Sequence, residues 1–152
     1  MELESKKIIF KKFLEKNPNR VFEGGNRFIN IQKKSFNNNP LISIITVVKN
    51  KINYIEETIL SIKNQKYKNI EYIVIDGVST DGSFEVIKKY LNDIDYFVCE
   101  QDRGLYDAIN KGISLSTGDL IGIVNADDIL LPNATEILVD YYKRYSDIDF
   151  FF

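Results

Sequence analysis

An apolar run, Leu120-Ile121-Gly122-Ile123-Val124, leads directly into Asn125-Ala126-Asp127-Asp128. Adjacent carboxylates repel each other and resist burial. A bound cation would offset that repulsion, and the composition restricts which one. The 152 residues include no histidine and one cysteine, Cys99. Carboxylate oxygens without imidazole or several thiolates suit Mg2+ or Mn2+. Such an ion keeps waters and shares its remaining positions with substrate phosphates. Two neighbouring acids can then divide the work, one on the metal and the other on a ribose hydroxyl or a metal-bound water. The small Ala126 leaves space beside them. The same composition excludes His-dependent triads, His-ligated zinc and an internal disulfide. A net charge of −2 gives no reason to expect a nucleic-acid partner.

Further polar residues fall at the ends of other apolar runs. LISIITVV (41–48) is β-branched and ends near Thr46, Lys49 and Asn50. IEYIVID (70–76) ends in Asp76, followed by Gly77, Ser79, Thr80 and Asp81. DYFVCE (95–100) ends in Glu100, with Asp102 and Arg103 just beyond. Residues 119–125 complete the set of strands. Helical patterns fill the intervals. Residues 53–65 carry an Ile55, Ile59, Ile62 stripe, with Asn53 as the expected cap and Glu56 completing a capping box. Residues 80–91 turn Phe84, Ile87 and Leu91 inward. Residues 104–115 use Ala108 and Gly112 for close packing. Residues 132–145 begin with Pro132 in the first turn. Residues 148–152 read as the start of another strand.

This alternation predicts an α/β fold, a mostly parallel Rossmann-like sheet with helices on both faces. In such sheets ligands bind outside the carboxyl ends of the strands. All four polar strand ends therefore face one edge. Singly, each feature has an ordinary reading: Asp127-Asp128 as a turn and cap, Ser79 to Ser83 as a helix start, Asp102-Arg103-Gly104 as a surface ion pair and turn. Their shared edge favours a nucleotide site.

The first 40 residues read differently. Residues 1–20 suggest a short helix with Leu3, Phe10, Phe13 and Leu14 near one face and Lys6, Lys7, Lys11 and Lys12 around the rest. Two readings follow: a helix packed on its own domain, which the pattern favours, or a basic amphipathic helix on an anionic membrane surface. Residues 21–40 look like an irregular polar arm. No run approaches the ~20 apolar residues of a membrane span, and the N-terminus lacks a secretory signal pattern. The expected location is cytoplasmic, with peripheral membrane association as the second reading.

Three ordered stretches, ISIITVVKN, ETILSIKNQKYKNIEYIVIDGVSTDGS and EQDRGLYDAINKGISLSTGDLIGIVNADD, closely resemble the family-2 glycosyltransferases of GT-A fold. The likeness covers roughly residues 41–140. It implies a nucleotide-sugar-binding domain over 41–152, preceded by an N-terminal helix and arm over 1–40. It also implies sugar transfer from a nucleotide-diphosphate donor, usually a UDP-sugar, to a saccharide or lipid-linked acceptor, with inversion, in polysaccharide or glycoconjugate assembly. By position, Thr46 would line the base and ribose pocket and Asp76 would hold the base. Asn125 and Asp127 belong to the aspartate motif, Asp127 touching ribose and Asp128 holding the metal that bridges the diphosphate. Asp102 and Arg103 fall in the segment that approaches the donor.

Two departures stand out. Gly77 occupies a place where many members carry a second acid, and Lys49 stands where an aromatic residue is common. The family's catalytic base lies on a later segment, so it is expected beyond Phe152, and the domain is expected to be incomplete at its C-terminal end. Two other functions remain open on the residues. A sugar nucleotidyltransferase would want a Gly-rich basic loop after the first strand, whereas Val47-Val48-Lys49-Asn50 stands there. A catalytically incomplete fragment would bind only nucleotide or a partner chain.

Overall fold

The computed structural model describes residues 12–36 and 38–145. The elements run β1 (Phe22–Gly24), a 3-10 turn (Asn26–Ile29), β2 (Ile42–Val48), α1 (Ile55–Lys63), β3 (Ile70–Asp76), α2 (Ser83–Lys89), a second 3-10 turn (Leu91–Asp93), β4 (Tyr96–Cys99), α3 (Leu105–Leu115), β5 (Leu120–Ile123) and α4 (Ala134–Arg144). The five strands lie in the order β1-β4-β3-β2-β5. All neighbours pair in parallel except β1, which runs antiparallel to β4. The expected mostly parallel α/β architecture is the observed one.

β2 and β3 are buried at every position, as strands covered on both faces must be. Alternation sorts their side chains into two layers. Ile42, Ile44 and Val48 pack with Ile70, Tyr72 and Val74 beneath α1, α2 and α4, through Ile55, Ile59, Ile62, Ile87 and Val139. Ile45, Val47, Ile73 and Ile75 pack with Tyr96 and Val98 against Ala108 and Leu115 of α3. The close approach expected of Gly112 is present: a Cβ there would stand 3.2 Å from both Cδ1 and Cγ1 of Ile45.

The N-terminal region departs from expectation. Residues 1–11 of the anticipated first helix lie outside the described residues, and residues 12–20 form no helix. That stretch packs Leu14 on the α3-side core, and the Leu14 N–H donates to Tyr96 Oη at 3.1 Å. The arm at 21–40 is not wholly irregular, because Phe22–Gly24 supplies the edge strand β1. Arg27 fixes it. This arginine is buried, its guanidinium 2.6 Å from the Glu71 carboxylate, and it donates to Leu115 O at 2.7 Å and Lys12 O at 2.8 Å. Glu71 also accepts from Ser43 Oγ, Thr117 N and Thr117 Oγ1. One buried cluster thus joins the arm to the starts of β2 and β3 and to the residues after α3. The anticipated Asn53 cap is also absent: Tyr54 holds the N-cap position of α1, with no side-chain cap. The loop 50–52 is already bonded to its neighbours, which sets where the helix begins. The strand expected at 148–152 lies outside the described residues.

Candidate functional site

The strand register brings the sequence-predicted groups to one edge. Val48 pairs with Asp76, and Asp76 with Cys99, so the C-terminal ends of β2, β3 and β4 are level. β5 joins on the other side of β2, with Ile45 opposite Ile123 and Val124 N–H donating to Ile45 O at 2.9 Å. Asn125 to Asp128 therefore emerge beside the last residues of β2.

The loop after β2 ties these strand ends together. Lys49 Nζ donates to Gly77 O and Val78 O on the β3 side. Two residues later, Lys51 Nζ lies 2.5 Å from Asp127 Oδ2 on the β5 side. Between them the backbone is fastened to the loop leading into α2. Asn50 N–H donates to Ser79 Oγ, Lys51 N–H to Ser83 Oγ and Ile52 N–H to Asp81 Oδ2, each at 2.9 Å. Asn50 Oδ1 accepts from Thr80 N–H at 2.8 Å. Asp76 and the Asp127-Asp128 pair thus belong to one continuous polar shelf.

Within that shelf, burial separates support from working surface. Asp76 is fully buried. Its carboxylate accepts from Ser79 N at 3.2 Å, from Ser79 Oγ at 2.5 Å and from Cys99 Sγ at 3.0 Å. Burial, then the hydrogen bond and negative charge of Asp76, push the Cys99 thiol up to about 12. Thr46 is also fully buried, and its hydroxyl accepts from Tyr72 Oη at 3.1 Å on the face covered by α1, α2 and α4. Neither side chain faces open solvent. Even-numbered residues of β2 turn toward α1, α2 and α4, and Thr46 turns with them. Glu100 is likewise internal, paired with Arg20 at 2.8 Å and Lys111 at 2.9 Å.

Asp102, Arg103, Asp127 and Asp128 form the accessible part. The Asp102 carboxylate lies over Gly77, where a Cβ would overlap Asp102 Oδ2 and stand 3.2 Å from its Cγ. Its other oxygen accepts from Gly104 N–H at 2.9 Å. The Arg103 side chain is 92% exposed, its nearest carboxylate being Asp107 at 3.7 Å. The next residue after Gly77, Val78, has φ +64. A β-branched residue in the left-handed region is strained, and such strain gathers where a loop must hold one shape for function.

Asp127 and Asp128 sit in a turn closed by Asp128 N–H to Asn125 O at 3.0 Å. Thr58 of α1 steadies it from beneath, its hydroxyl 3.1 Å from Ala126 O and 2.9 Å from Asp128 O. Asn125 Nδ2 donates to Asp128 Oδ2 at 3.0 Å and orients that carboxylate. The Lys51 ammonium, through a hydrogen bond and its charge, holds Asp127 below the usual carboxylate range. Among the described residues no three acids, cysteines or histidines cluster as a ready metal cage. Two exposed hard-oxygen groups on one turn suit instead an open Mg2+ or Mn2+ position completed by water and phosphate. Sequence reasoning named Asn50 at this strand end and missed Lys51 and Thr58. Their signal is three-dimensional: a lysine after a strand looks solvated until the loop it anchors is seen.

A hollow of about 990 Å³ lies elsewhere, between β5 and α4, lined by Ile42, Ile123, Leu131, Leu138 and other mainly apolar residues. It contains none of the polar strand-end groups.

A parallel α/β sheet that gathers acids, amides and cations at its carboxyl edge defines a nucleotide-binding class of domain. Comparison with known proteins narrows it. Residues 43–151 match Glycosyl transferase family 2, and the chain belongs to that family. It is 35% identical over 114 residues to an uncharacterized glycosyltransferase of Haemophilus influenzae, covering 73% of this chain and 35% of that protein. It is 37% identical over 112 residues to glycosyltransferase GlyG of Streptococcus pneumoniae, covering 72% and 36%. The chain thus spans about a third of the length of these relatives. Among solved structures, residues 1–349 of Staphylococcus aureus TarS with UDP-GlcNAc superpose with a TM-score of 0.63 at 21% identity, over 70% of this chain and 32% of that one. The mannosyltransferase PcManGT of Pyrobaculum calidifontis with GDP-Man and Mn2+ gives 0.61 at 25% identity, over 80% and 37%. The fold is GT-A. Among the described residues no helix is long and apolar enough to cross a membrane.

Proposed function

We propose that this chain forms the donor-binding part of a glycosyltransferase of the hexosyltransferase type. The donor is a nucleotide-diphosphate sugar, a UDP-sugar first among candidates. The acceptor is a saccharide or lipid-linked hydroxyl, and the setting is polysaccharide or glycoconjugate assembly. The observation that carries the reading is the Asn125–Asp128 turn: two exposed carboxylates, braced by Thr58 and Asn125, beside the loop of Lys49 to Ile52. The bound nucleotide sugars and Mn2+ of the neighbouring structures support the same donor class.

In this reading Asp128 holds Mg2+ or Mn2+, with Asn125 fixing its orientation. That ion, when bound, stabilises the charge on the departing diphosphate. Asp127 accepts from a ribose hydroxyl. Asp102 offers an acceptor oxygen to the base or sugar, and Arg103, nearly free in solvent, can reach an anionic group of the donor. Thr46 and Asp76 act from behind. Asp76 fixes the strained Gly77–Ser79 turn against which the base would lie, and Thr46 braces β2 through Tyr72. Inverting transfer requires a general base to take the acceptor proton as oxygen attacks the anomeric carbon. That base belongs to a part of the enzyme C-terminal to these residues.

The test is calorimetry with UDP and GDP, each with and without Mn2+, on the wild-type chain and on Asp128→Ala. The reading expects metal-dependent binding that the variant abolishes. Unchanged UDP affinity in Asp128→Ala with Mn2+ present would remove the site.

A further inference from the structure

The free site is out of electrostatic balance in a specific way. Asp127 and Asp128 are adjacent acids, and Lys51 pairs with the first of them, its Nζ 2.5 Å from Asp127 Oδ2. Asp128 receives the neutral Asn125 amide. Two carboxylates facing one ammonium leave a surplus negative charge. A divalent cation would reverse the sign of that surplus, and an anionic diphosphate would then take it up. Lys51 stays in the site through all of this, so its place has to change with the load.

The geometry permits such a change. The Lys51 backbone is pinned on both sides, its N–H on Ser83 Oγ and its carbonyl accepting from Tyr54 N–H and Ile55 N–H. The side chain is held only at its solvated end, by the Asp127 carboxylate and by the Tyr54 ring, whose centroid is 6.0 Å from Nζ. Both partners of the ion pair are solvated, with side chains 38% and 42% exposed. An exposed pair of this kind contributes little stability. A lysine stem is long and flexible, and its ammonium carries three donors that serve a phosphate as readily as a carboxylate. The Asp127 oxygen that Lys51 now occupies is also one that a ribose hydroxyl would need.

We propose that Lys51 is a positioning cation with two stations. It neutralises Asp127 while the site is empty, and it transfers to the donor diphosphate when the divalent cation and nucleotide enter. This rests on the donor-site reading above and adds a residue and a role to it. One consequence separates it from a bland surface ion pair. Lys51 competes with the metal in the absence of nucleotide and assists the nucleotide in the presence of metal, so its removal shifts the two affinities in opposite directions.

The experiment uses the chain as it exists, with Lys51→Met, which removes the ammonium from Asp127 and from over the Tyr54 ring, and Lys51→Arg, which keeps the charge. Titration with MnCl2 alone is expected to show binding tightened about two- to fivefold in Lys51→Met, the scale of a lost exposed charge interaction. Titration with UDP at saturating Mn2+ is expected to show binding weakened roughly tenfold or more, the scale of a lost bond to a charged group. Lys51→Arg should restore most of the UDP affinity. Thermal denaturation establishes that both variants are folded. If neither affinity moves in Lys51→Met, or both weaken together, the proposal is overturned. Asp128→Asn run alongside distinguishes the two levels. Should it leave Mn2+-dependent UDP binding intact, the cation site falls and Lys51's role with it. Should it abolish that binding while Lys51→Met changes nothing, Lys51 alone is wrong.

Discussion

Gly77→Ala gives a sharp test of the accessible half of the site, because its effect should pass through another residue. A Cβ at position 77 would overlap Asp102 Oδ2 and press within 3.3 Å of Lys49 Cδ. The Asp102 carboxylate is the movable partner, being a side-chain end that is only partly buried. Swinging away, it gives up the bond from Gly104 N–H at 2.9 Å. That loss costs about 1 kcal/mol, which in a chain of this size lowers Tm by roughly 2–4 °C. Donor binding should suffer more. If Asp102 accepts a hydrogen bond from the donor, displacing it removes a bond worth about 1.5–3 kcal/mol, or roughly ten- to a hundredfold in Kd for UDP. Asp102→Ala removes the same carboxylate directly, so the two substitutions should not add. The double variant should bind UDP about as weakly as either single one, with a coupling energy near the full single effect. Calorimetry with UDP and Mn2+ on the four proteins gives the cycle, and thermal denaturation gives the stability. Additive losses, or wild-type affinity in Gly77→Ala, would show that Asp102 does not meet the donor from its position over Gly77.

Other outcomes follow from the same structure. Asp76→Ala should loosen the Gly77–Ser79 turn and weaken UDP binding more than pyrophosphate binding; equal losses, read by calorimetry, would count against its place behind the base. Arg27→Ala strands Glu71 without its buried counter-ion and should cost about 3–5 kcal/mol, measured by urea denaturation; a loss under about 1 kcal/mol would mean that the cluster does not anchor the arm. Cys99 should resist thiol reagents at pH 8 in the native protein and react once unfolded. Its thiol is raised to about 12 in the fold, while an unfolded cysteine ionises near ~8.5. The unfolded chain therefore releases a proton that the folded chain keeps, and this contribution to stability is intact below about pH 8.5 and lost as pH rises toward 12. Cys99→Ser should flatten the alkaline limb of a stability–pH curve, and an unchanged limb would refute the assignment.

What the sequence made legible, and what it did not, follows from the range of each interaction. The runs at 41–48 and 70–76 read as strands because β-branched residues in series can be satisfied only between two covering layers, and β2 and β3 are buried throughout. The shared edge was legible for the same reason, since parallel strands point their carboxyl ends together. Position 46 was partly legible: it shares parity with Ile42, Ile44 and Val48, so its hydroxyl had to enter the same layer as theirs. β1 was not legible. Three residues, Phe-Glu-Gly, carry no period of their own, and their pairing with Phe97 to Cys99 is set by contacts some seventy-five residues away. Lys51 was hidden likewise, since its partner Asp127 lies on another strand end.

These differences also explain how one edge sorts its polar residues. Position along the strand separates Asp76 from the Asp127-Asp128 pair, whereas Glu100, past the last pair of β4, is enclosed by Arg20 and Lys111. Asp76 still pairs across to Val48 and Cys99, so it is enclosed and braces its turn. Asp127 and Asp128 lie past the last paired residue of β5, so they are released and can meet a ligand. The supporting groups are those whose hydrogen bonds are already complete within the protein, as at Asp76, Thr46 and Glu100. The ion pair between Lys51 and Asp127, both partners solvated, is of another kind, open to replacement by a ligand.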